Sequence, residues 1–199
     1  PEAPSFQAFV QRIDTDGELV GEARALKVEA DQSHAYPDIG RDAEGRLYAA
    51  WERSAAPDYK ANLLAQMHLD PDLGALDTEP QNLLGGKQQA DKPRYGRRQD
   101  QRSPLLLAFA DPATGGLRLL DTAAPDKGLS VAGGTPPNHL PAASHHEQRG
   151  LLAWHRVVKG TVNKTVVQRF SLDQGRLALV GDEEVLSSEA LPYGPTVLH

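Results

Sequence analysis

An internal repeat of roughly fifty residues constrains the fold of this 199-residue chain more than any other feature. A short segment that ends at an aspartate, followed by a glycine turn and a further short segment, occurs four times. The aspartates are Asp14, Asp70, Asp121 and Asp173, spaced 56, 51 and 52 residues apart. A period of this length is typical of folds in which one supersecondary unit is stacked on copies of itself.

Two further landmarks recur in the same register. Prolines follow the four aspartates by 23, 23, 20 and 19 residues, at Pro37, Pro93, Pro141 and Pro192. The first three prolines are followed by an apolar run that ends in an aromatic residue, namely Trp51, Phe109 and Trp154. Because the aromatic residues recur once per unit, we predict that they fill the space between stacked sheets. The alternative is a shelf for stacking sugars.

The segments within a unit are predicted to be strands. The apolar runs are short, Gly and Pro are frequent, and no stripe of helical period extends over three turns. Each unit then consists of a proline-led strand, an apolar strand that ends in the aromatic residue, a third strand that ends at the aspartate, and a fourth strand. We expect these to form a four-stranded antiparallel meander whose apolar faces are covered by neighbouring sheets.

Stacking these sheets radially predicts an all-β fold, a β-propeller of four-stranded antiparallel blades, since ring closure protects sheet edges. The competing architecture is a linear β-solenoid, whose repeats are usually shorter. A single domain is predicted with blades at residues 34–86, 88–134 and 135–187, and with partial blades at 1–33 and 188–199. This set is one strand short of a four-bladed ring. We therefore expect part of a longer propeller, a ring completed by another chain, or one strand unrecognised near the first residues.

Composition excludes several classes of function. Lys and Arg total 21 against 27 Asp and Glu, and this net charge of −6 argues against binding of nucleic acid. The chain has no cysteine, which excludes disulfides, thiolate metal ligands and a cysteine nucleophile. No apolar run approaches the ~18 residues of a membrane span, so no membrane insertion is expected. Without a Gly-x-Ser-x-Gly, P-loop or GxGxxG sequence, no cofactor is predicted.

The opening of each unit also carries a family resemblance. The segment from Pro37 to Trp51, PDIGRDAEGRLYAAW, has a similar copy from Pro141 to Trp154 and a weaker one from Pro93 to Phe109. It resembles the repeat of sialidase-like propellers, although the Asp-box turn of that family, Ser-x-Asp-x-Gly-x-x-Trp, lacks its Ser and Trp here. The resemblance spans nearly the whole chain and implies a propeller. Together with the absence of cysteine it favours a periplasmic or extracellular bacterial protein.

Propellers usually bind ligands at the axial face that carries the loops into the innermost strands and the loops from second to third strands. By topology, the ligand-binding residues predicted at this axial mouth are His34, Asp38, Arg94, Tyr95, His139, Ser144, His145 and Tyr193. In sialidases a cluster of arginines binds the substrate carboxylate, and Arg94 is the residue placed for such a role. No catalytic residue is assigned.

The histidines do not predict a metal site. His145, His146 and His155 are close in sequence, but adjacent strand residues point to opposite faces and no His-Glu-x-x-His spacing occurs. The turn at residues 14–17 offers too few oxygens for calcium, so turn formation is its expected role. We predict packing or surface roles for the histidines and no metal.

The leading functional hypothesis is a binding module that engages a protein or a glycan through loops on one face. The loops from second to third strands, residues 53–60, 111–116 and 157–163, differ while the strands stay alike. The alternative is a sialidase-like glycoside hydrolase, or another propeller hydrolase, whose active site is completed outside this chain. An enzyme should gather titratable groups with shifted pKa values from different blades, whereas a binding module should expose an apolar patch.

Overall fold

The computed structural model describes residues 6–26, 31–55, 62–70, 79–84, 90–131, 138–158 and 162–187. These ranges contain strands and one short 3-10 helix, Pro125–Lys127, and no α-helix. The strands are β1 Phe9–Ile13, β2 Leu19–Ala25, β3 Gln32–Arg41, β4 Leu47–Ala55, β5 Leu63–Leu69, β6 Gln81–Asn82, β7 Asp91–Tyr95, β8 Arg97–Arg98, β9 Leu106–Asp111, β10 Gly116–Asp121, β11 Leu129–Val131, β12 Asn138–His146, β13 Arg149–Val158, β14 Val162–Asp173 and β15 Arg176–Ser187.

The strands form four sheets, and the prediction of an all-β protein with antiparallel sheets is confirmed. Sheet 1 is the hairpin β1–β2, sheet 2 has the order β3-β4-β5-β6, and sheet 3 has the order β7-β9-β10-β11. Sheet 4 is the meander β12-β13-β14-β15, with β8 added in parallel beside β12. Within the described ranges these sheets do not close into a ring.

The sheets pack face to face, and the recurring aromatic residues lie between them. Trp51 packs with residues of sheet 1 and sheet 2, Phe109 with sheets 2 and 3, and Trp154 with sheets 3 and 4. All three side chains are 0% exposed. Their predicted role in filling the space between sheets is confirmed, because each is fully buried in the core between two sheets.

A β-bulge at each recurring proline explains why that landmark repeats. In β3, Ala35 pairs with Glu52 and Asp38 pairs with Ala50, so two bulge residues lie opposite the single residue Trp51. The same skip occurs in β7 and β12, opposite the other two aromatic residues. The bulge residues before the prolines have positive φ angles of 51°, 51° and 50°, at Tyr36, Lys92 and Leu140. Bulges of this kind bend a strand and redirect the side chains that follow.

The buried tryptophans receive a hydrogen-bond acceptor three residues before each proline. Nε1 of Trp51 donates to Nδ1 of His34 at 2.8 Å. Nε1 of Trp154 donates to Oδ1 of Asn138 at 3.0 Å. In sheet 3, Phe109 has no N–H to satisfy, and the equivalent position is an alanine, Ala90. An acceptor side chain is thus present in the two sheets whose aromatic residue has an indole N–H, and absent from sheet 3, whose aromatic residue has no N–H.

Apolar side chains remain exposed on sheet 1 and on β15, the edge strand of sheet 4. Phe9, Ile13 and Leu19 of sheet 1 are 57%, 64% and 66% exposed, and Val185 and Leu186 of β15 are 52% and 64% exposed. A search of the described residues for a helix long and apolar enough to span a membrane found none.

Candidate functional site

The most perturbed carboxyl group lies where the end of β4 meets the start of β7. Glu52 follows Trp51, so strand alternation turns its side chain toward sheet 3 while the indole faces sheet 1. Glu52 is 5% exposed. One of its carboxyl oxygens accepts the backbone N–H of Lys92, and the other accepts Nδ2 of Asn62 at 3.1 Å. The carboxyl group is therefore fixed from two sheets.

Asp91 forms a carboxyl pair with Glu52. Burial raises the pKa of Glu52 to about 8, and a hydrogen bond to Asp91 and the charge of that residue add to the shift. Two carboxyl groups in contact cannot both ionise readily, so one proton stays on the pair at neutral pH. Because Glu52 is buried and both of its oxygens already accept hydrogen bonds, a ligand would reach the pair through Asp91, whose side chain is 25% exposed.

A lysine and an exposed tyrosine complete this group of side chains. Nζ of Lys92 lies 2.9 Å from Oδ2 of Asp91 and 5.4 Å from the ring centroid of Tyr36. Burial lowers the pKa of Lys92, but the hydrogen bond to Asp91 and the nearby negative charges together outweigh it, and the net shift is upward. Tyr36 is 50% exposed. We call Tyr36, Glu52, Asn62, Asp91 and Lys92 the rim cluster.

The structure brings together three residues predicted for the axial mouth. The backbone N–H of Tyr95 donates to Oδ2 of Asp38 at 2.7 Å, and Nη1 of Arg94 lies 3.9 Å from Oδ1 of Asp38. Burial raises the pKa of Asp38, against the lowering by the Tyr95 N–H and the Arg94 charge. Asp38 pairs with Ala50, two residues before Glu52 on β4. These three residues therefore lie one level below the rim cluster at the same boundary between sheets.

The other predicted mouth residues lie apart from this group. His34 is buried against Trp51, and His139 lies against His155 with ring centroids 5.8 Å apart. His145 is at the opposite end of β12, where its Nε2 donates to the Pro104 carbonyl at 3.0 Å. Burial lowers the pKa of His145. Ser144 is a buried neighbour of His145, and Tyr193 lies outside the described residues. A ligand-binding role for these residues stays a prediction.

The sequence contained a signal for the rim cluster that its motifs did not reveal. Glu52 stands directly after the aromatic residue, where the next two units have Ala110 and His155. Asp91 stands two residues before the proline, where the other units have Ala35 and His139. Charged residues that replace an alanine beside a conserved landmark of the repeat are candidates for function, because the core does not require them.

A separate acidic turn lies near the far end of β12. Oδ2 of Asp100 accepts the backbone N–H of Glu147 at 2.9 Å, and Oδ1 accepts the N–H groups of Arg102 and Ser103, each at 2.7 Å. An open cavity of about 520 Å³ adjoins this turn and is also lined by Leu172. Within the described ranges, no group of three or more His, Cys, Asp or Glu side chains is placed to hold a metal ion.

Comparison with known proteins found similarity of fold, which does not assign an activity to this chain. No protein-family model and no curated protein matches it. It is similar to a protein of unknown function from Dyadobacter fermentans DSM 18053, with TM-score 0.51 and 16% identity over 72% of this chain and 39% of that chain. It is also similar to a thermostable family-43 glycoside hydrolase, with TM-score 0.47 and 13% identity over 94% of this chain and 73% of that chain. The chain thus spans about two fifths of the first of these proteins.

Proposed function

We propose that the stacked meanders are successive blades of a β-propeller that binds a glycan at the rim cluster. The proposed blades cover residues 34–86, 88–134 and 135–187, with partial blades at 1–33 and 188–199. Contacts between β3 and β7, and between β7 and β12, support this architecture, because the first strands of consecutive blades adjoin around a propeller axis.

The observation that carries the glycan proposal is a proton-holding carboxyl pair beside an exposed aromatic ring. Sugar hydroxyls both donate and accept hydrogen bonds, and the partly exposed side chains of Lys92 and Asp91, 25% each, offer a donor and an acceptor beside the buried Glu52. The C–H face of a sugar packs on an aromatic ring, and Tyr36 is half-exposed. Arg94 and Asp38, also accessible, extend the polar surface along the same boundary.

The exposed apolar face of sheet 1 supports a second part of the proposal. A further sheet, from the same polypeptide or from a partner chain, covers Phe9 and Ile13. Light scattering of the purified chain should then show association. A monomer that unfolds cooperatively would contradict a need for further sheets.

Glycan binding is tested by an array screen followed by calorimetry with the best ligand. Tyr36→Ala should weaken binding by about tenfold, as loss of an aromatic stacking contact implies. Glu52→Gln should retain binding, because an amide still offers a donor and an acceptor. Phe9→Ala, an exposed aromatic residue on sheet 1, is the matched control and should bind normally. Binding that survives Tyr36→Ala, or no binding to any glycan, would contradict the proposal.

A glycoside hydrolase is the second candidate, favoured by the raised pKa of Glu52. A carboxyl group that remains protonated at neutral pH can donate its proton to the leaving oxygen of a glycosidic bond. Asp38 or Asp91 would serve as the second carboxylate. Hydrolysis of aryl glycosides should then decline above about pH 8, and Glu52→Gln should abolish it while leaving glycan binding intact. Binding without hydrolysis in the wild-type chain would exclude this candidate.

A further inference from the structure

Three polar side chains form a row across β12, β13 and β14. His139 pairs with His155, and His155 pairs with Thr165, so the three lie side by side on one face of sheet 4. Because Trp154 is turned toward sheet 3, this row lies on the face turned away from sheet 3. The imidazole rings of His139 and His155 are 5.8 Å apart with an interplanar angle of 75°.

His155 and Thr165 bury polar atoms that no described residue satisfies. His155 is 0% exposed and Thr165 is 8% exposed. Neither ring nitrogen of His155 has a hydrogen-bond partner among the described residues, and the same holds for the hydroxyl of Thr165. Buried polar groups are nearly always satisfied, so an imidazole in this state points to a partner beyond the described residues.

The repeat shows that packing does not require histidines here. The pair equivalent to His139 and His155 is Ala35 and Glu52 in sheet 2, and Asp91 and Ala110 in sheet 3. At each of the two positions, an alanine in another sheet gives the same backbone pairing. A fully buried imidazole beside a second, partly buried one is therefore a particular feature of sheet 4, and the desolvation of His155 costs free energy that alanine would not.

We propose that His139 and His155 chelate one divalent transition-metal ion of the class that prefers imidazole, such as Zn²⁺, Ni²⁺ or Cu²⁺. Two imidazoles on one tetrahedral ion, with metal–nitrogen distances of about 2.0–2.1 Å, have ring centroids about 5 Å apart. The observed 5.8 Å requires only a small closure of the two rings. Ca²⁺ and Mg²⁺ prefer oxygen ligands and do not fit this pair. With two protein ligands, the site is weaker than a closed structural zinc site.

The proposal is independent of the glycan site and is tested with the metal alone. The full chain is stripped with a chelator and titrated with Zn²⁺ and Ni²⁺ by calorimetry until each addition has equilibrated. One ion should bind per chain, and His155→Ala and His139→Ala should each weaken binding by at least about tenfold, since each removes one of two ligands. His68→Ala and His146→Ala, at exposed histidines, are the matched controls and should bind as the wild type does.

Electron paramagnetic resonance of the wild-type chain with Cu²⁺ gives a readout that does not depend on whether the variants fold. Hyperfine coupling to two imidazole nitrogens is the expected spectrum. A spectrum without nitrogen coupling, binding that persists at full strength in folded His155→Ala, or binding that is lost in His68→Ala would overturn the proposal. Absence of binding to the wild-type chain would also overturn it and leave an ordinary buried water as the partner of His155.

Discussion

The hydrogen bond between Trp51 and His34 gives a quantitative test of how the sheets are packed. The chain contains its own reference for removing this bond, because sheet 3 has Phe109 and Ala90 at the equivalent positions. We therefore consider the variants Trp51→Phe and His34→Ala and the double variant that carries both. The double variant reproduces in sheet 2 the residue pair that sheet 3 already contains.

The expected loss in free energy of unfolding follows from the burial of both hydrogen-bonded side chains. Trp51 is 0% exposed and His34 is 1% exposed, and the Nε1 to Nδ1 distance is 2.8 Å. His34→Ala leaves the indole N–H without this acceptor, which should lower the free energy of unfolding by about 1–3 kcal/mol. Trp51→Phe leaves Nδ1 without its donor, with a similar cost. Because the double variant removes both partners, its loss should be about 1–2 kcal/mol smaller than the sum of the single losses.

The assay is a double-mutant cycle measured by urea denaturation. Unfolding is monitored by circular dichroism rather than by tryptophan fluorescence, because one of the two tryptophans is removed. Trp154→Phe combined with His34→Ala is the control, and its losses should add, because Trp154 bonds to Asn138 in another sheet. His34→Asn should lose less than about 1 kcal/mol, since an asparagine is the acceptor in sheet 4. If the losses in free energy of unfolding caused by Trp51→Phe and His34→Ala sum to the loss in the double variant within about 0.5 kcal/mol, the two residues are not coupled by this hydrogen bond. That result would refute our reasoning.

Three further predictions concern stability. Gly150→Ala places a methyl group in the Phe170 ring and should cost about 1–3 kcal/mol in denaturation experiments, whereas Gly96→Ala meets only ordinary contacts and should cost less. Because the pKa of Glu52 is raised from 4.5 to about 8, the native state holds an extra proton between these pH values. The free energy of unfolding should fall as pH rises through that window, and Glu52→Gln should remove this decline. Burial raises the pKa of Asp100, but its hydrogen bonds hold it well below the usual 3.8. Stability present above pH 3.8 should therefore be lost on acidification, less steeply in Asp100→Asn.

The strands and inter-sheet cores were predictable because the same physical requirement acts once in each unit. Every sheet must bury an apolar face, so an aromatic residue lies at the same place in the second strand, as at Trp51 and Trp154. The prediction that the strand ends there is wrong, because β4 continues to Ala55 and β13 to Val158. The proline recurs for a related reason, because it forms part of a bulge opposite that aromatic residue. Because the same packing requirement occurs in each sheet, the residues that meet it recur at regular spacing in the sequence.

The rim cluster was not predictable in the same way, because it depends on residues from different units that do not repeat. Glu52 and Asp91 are 39 positions apart and meet only when sheet 2 stacks on sheet 3 at a particular level. The pairing of β8 with β12 was missed for a similar reason. A two-residue strand at Arg97–Arg98 has no periodicity, yet it lies beside Ser144 and His145 and places them away from the rim.

The recurring bulge connects the conserved core to the variable rim. It lies opposite the aromatic residue, which faces one side of each sheet, and strand alternation then places the next residue on the other face. That next residue is Glu52, Ala110 or His155, so the same backbone position carries a carboxyl group, a methyl group or an imidazole in the three sheets. The side chain there can change without disturbing the aromatic core, because the two point in opposite directions. Both sites proposed for this protein use this position. A functional side chain can be introduced there with the least disturbance of the aromatic core.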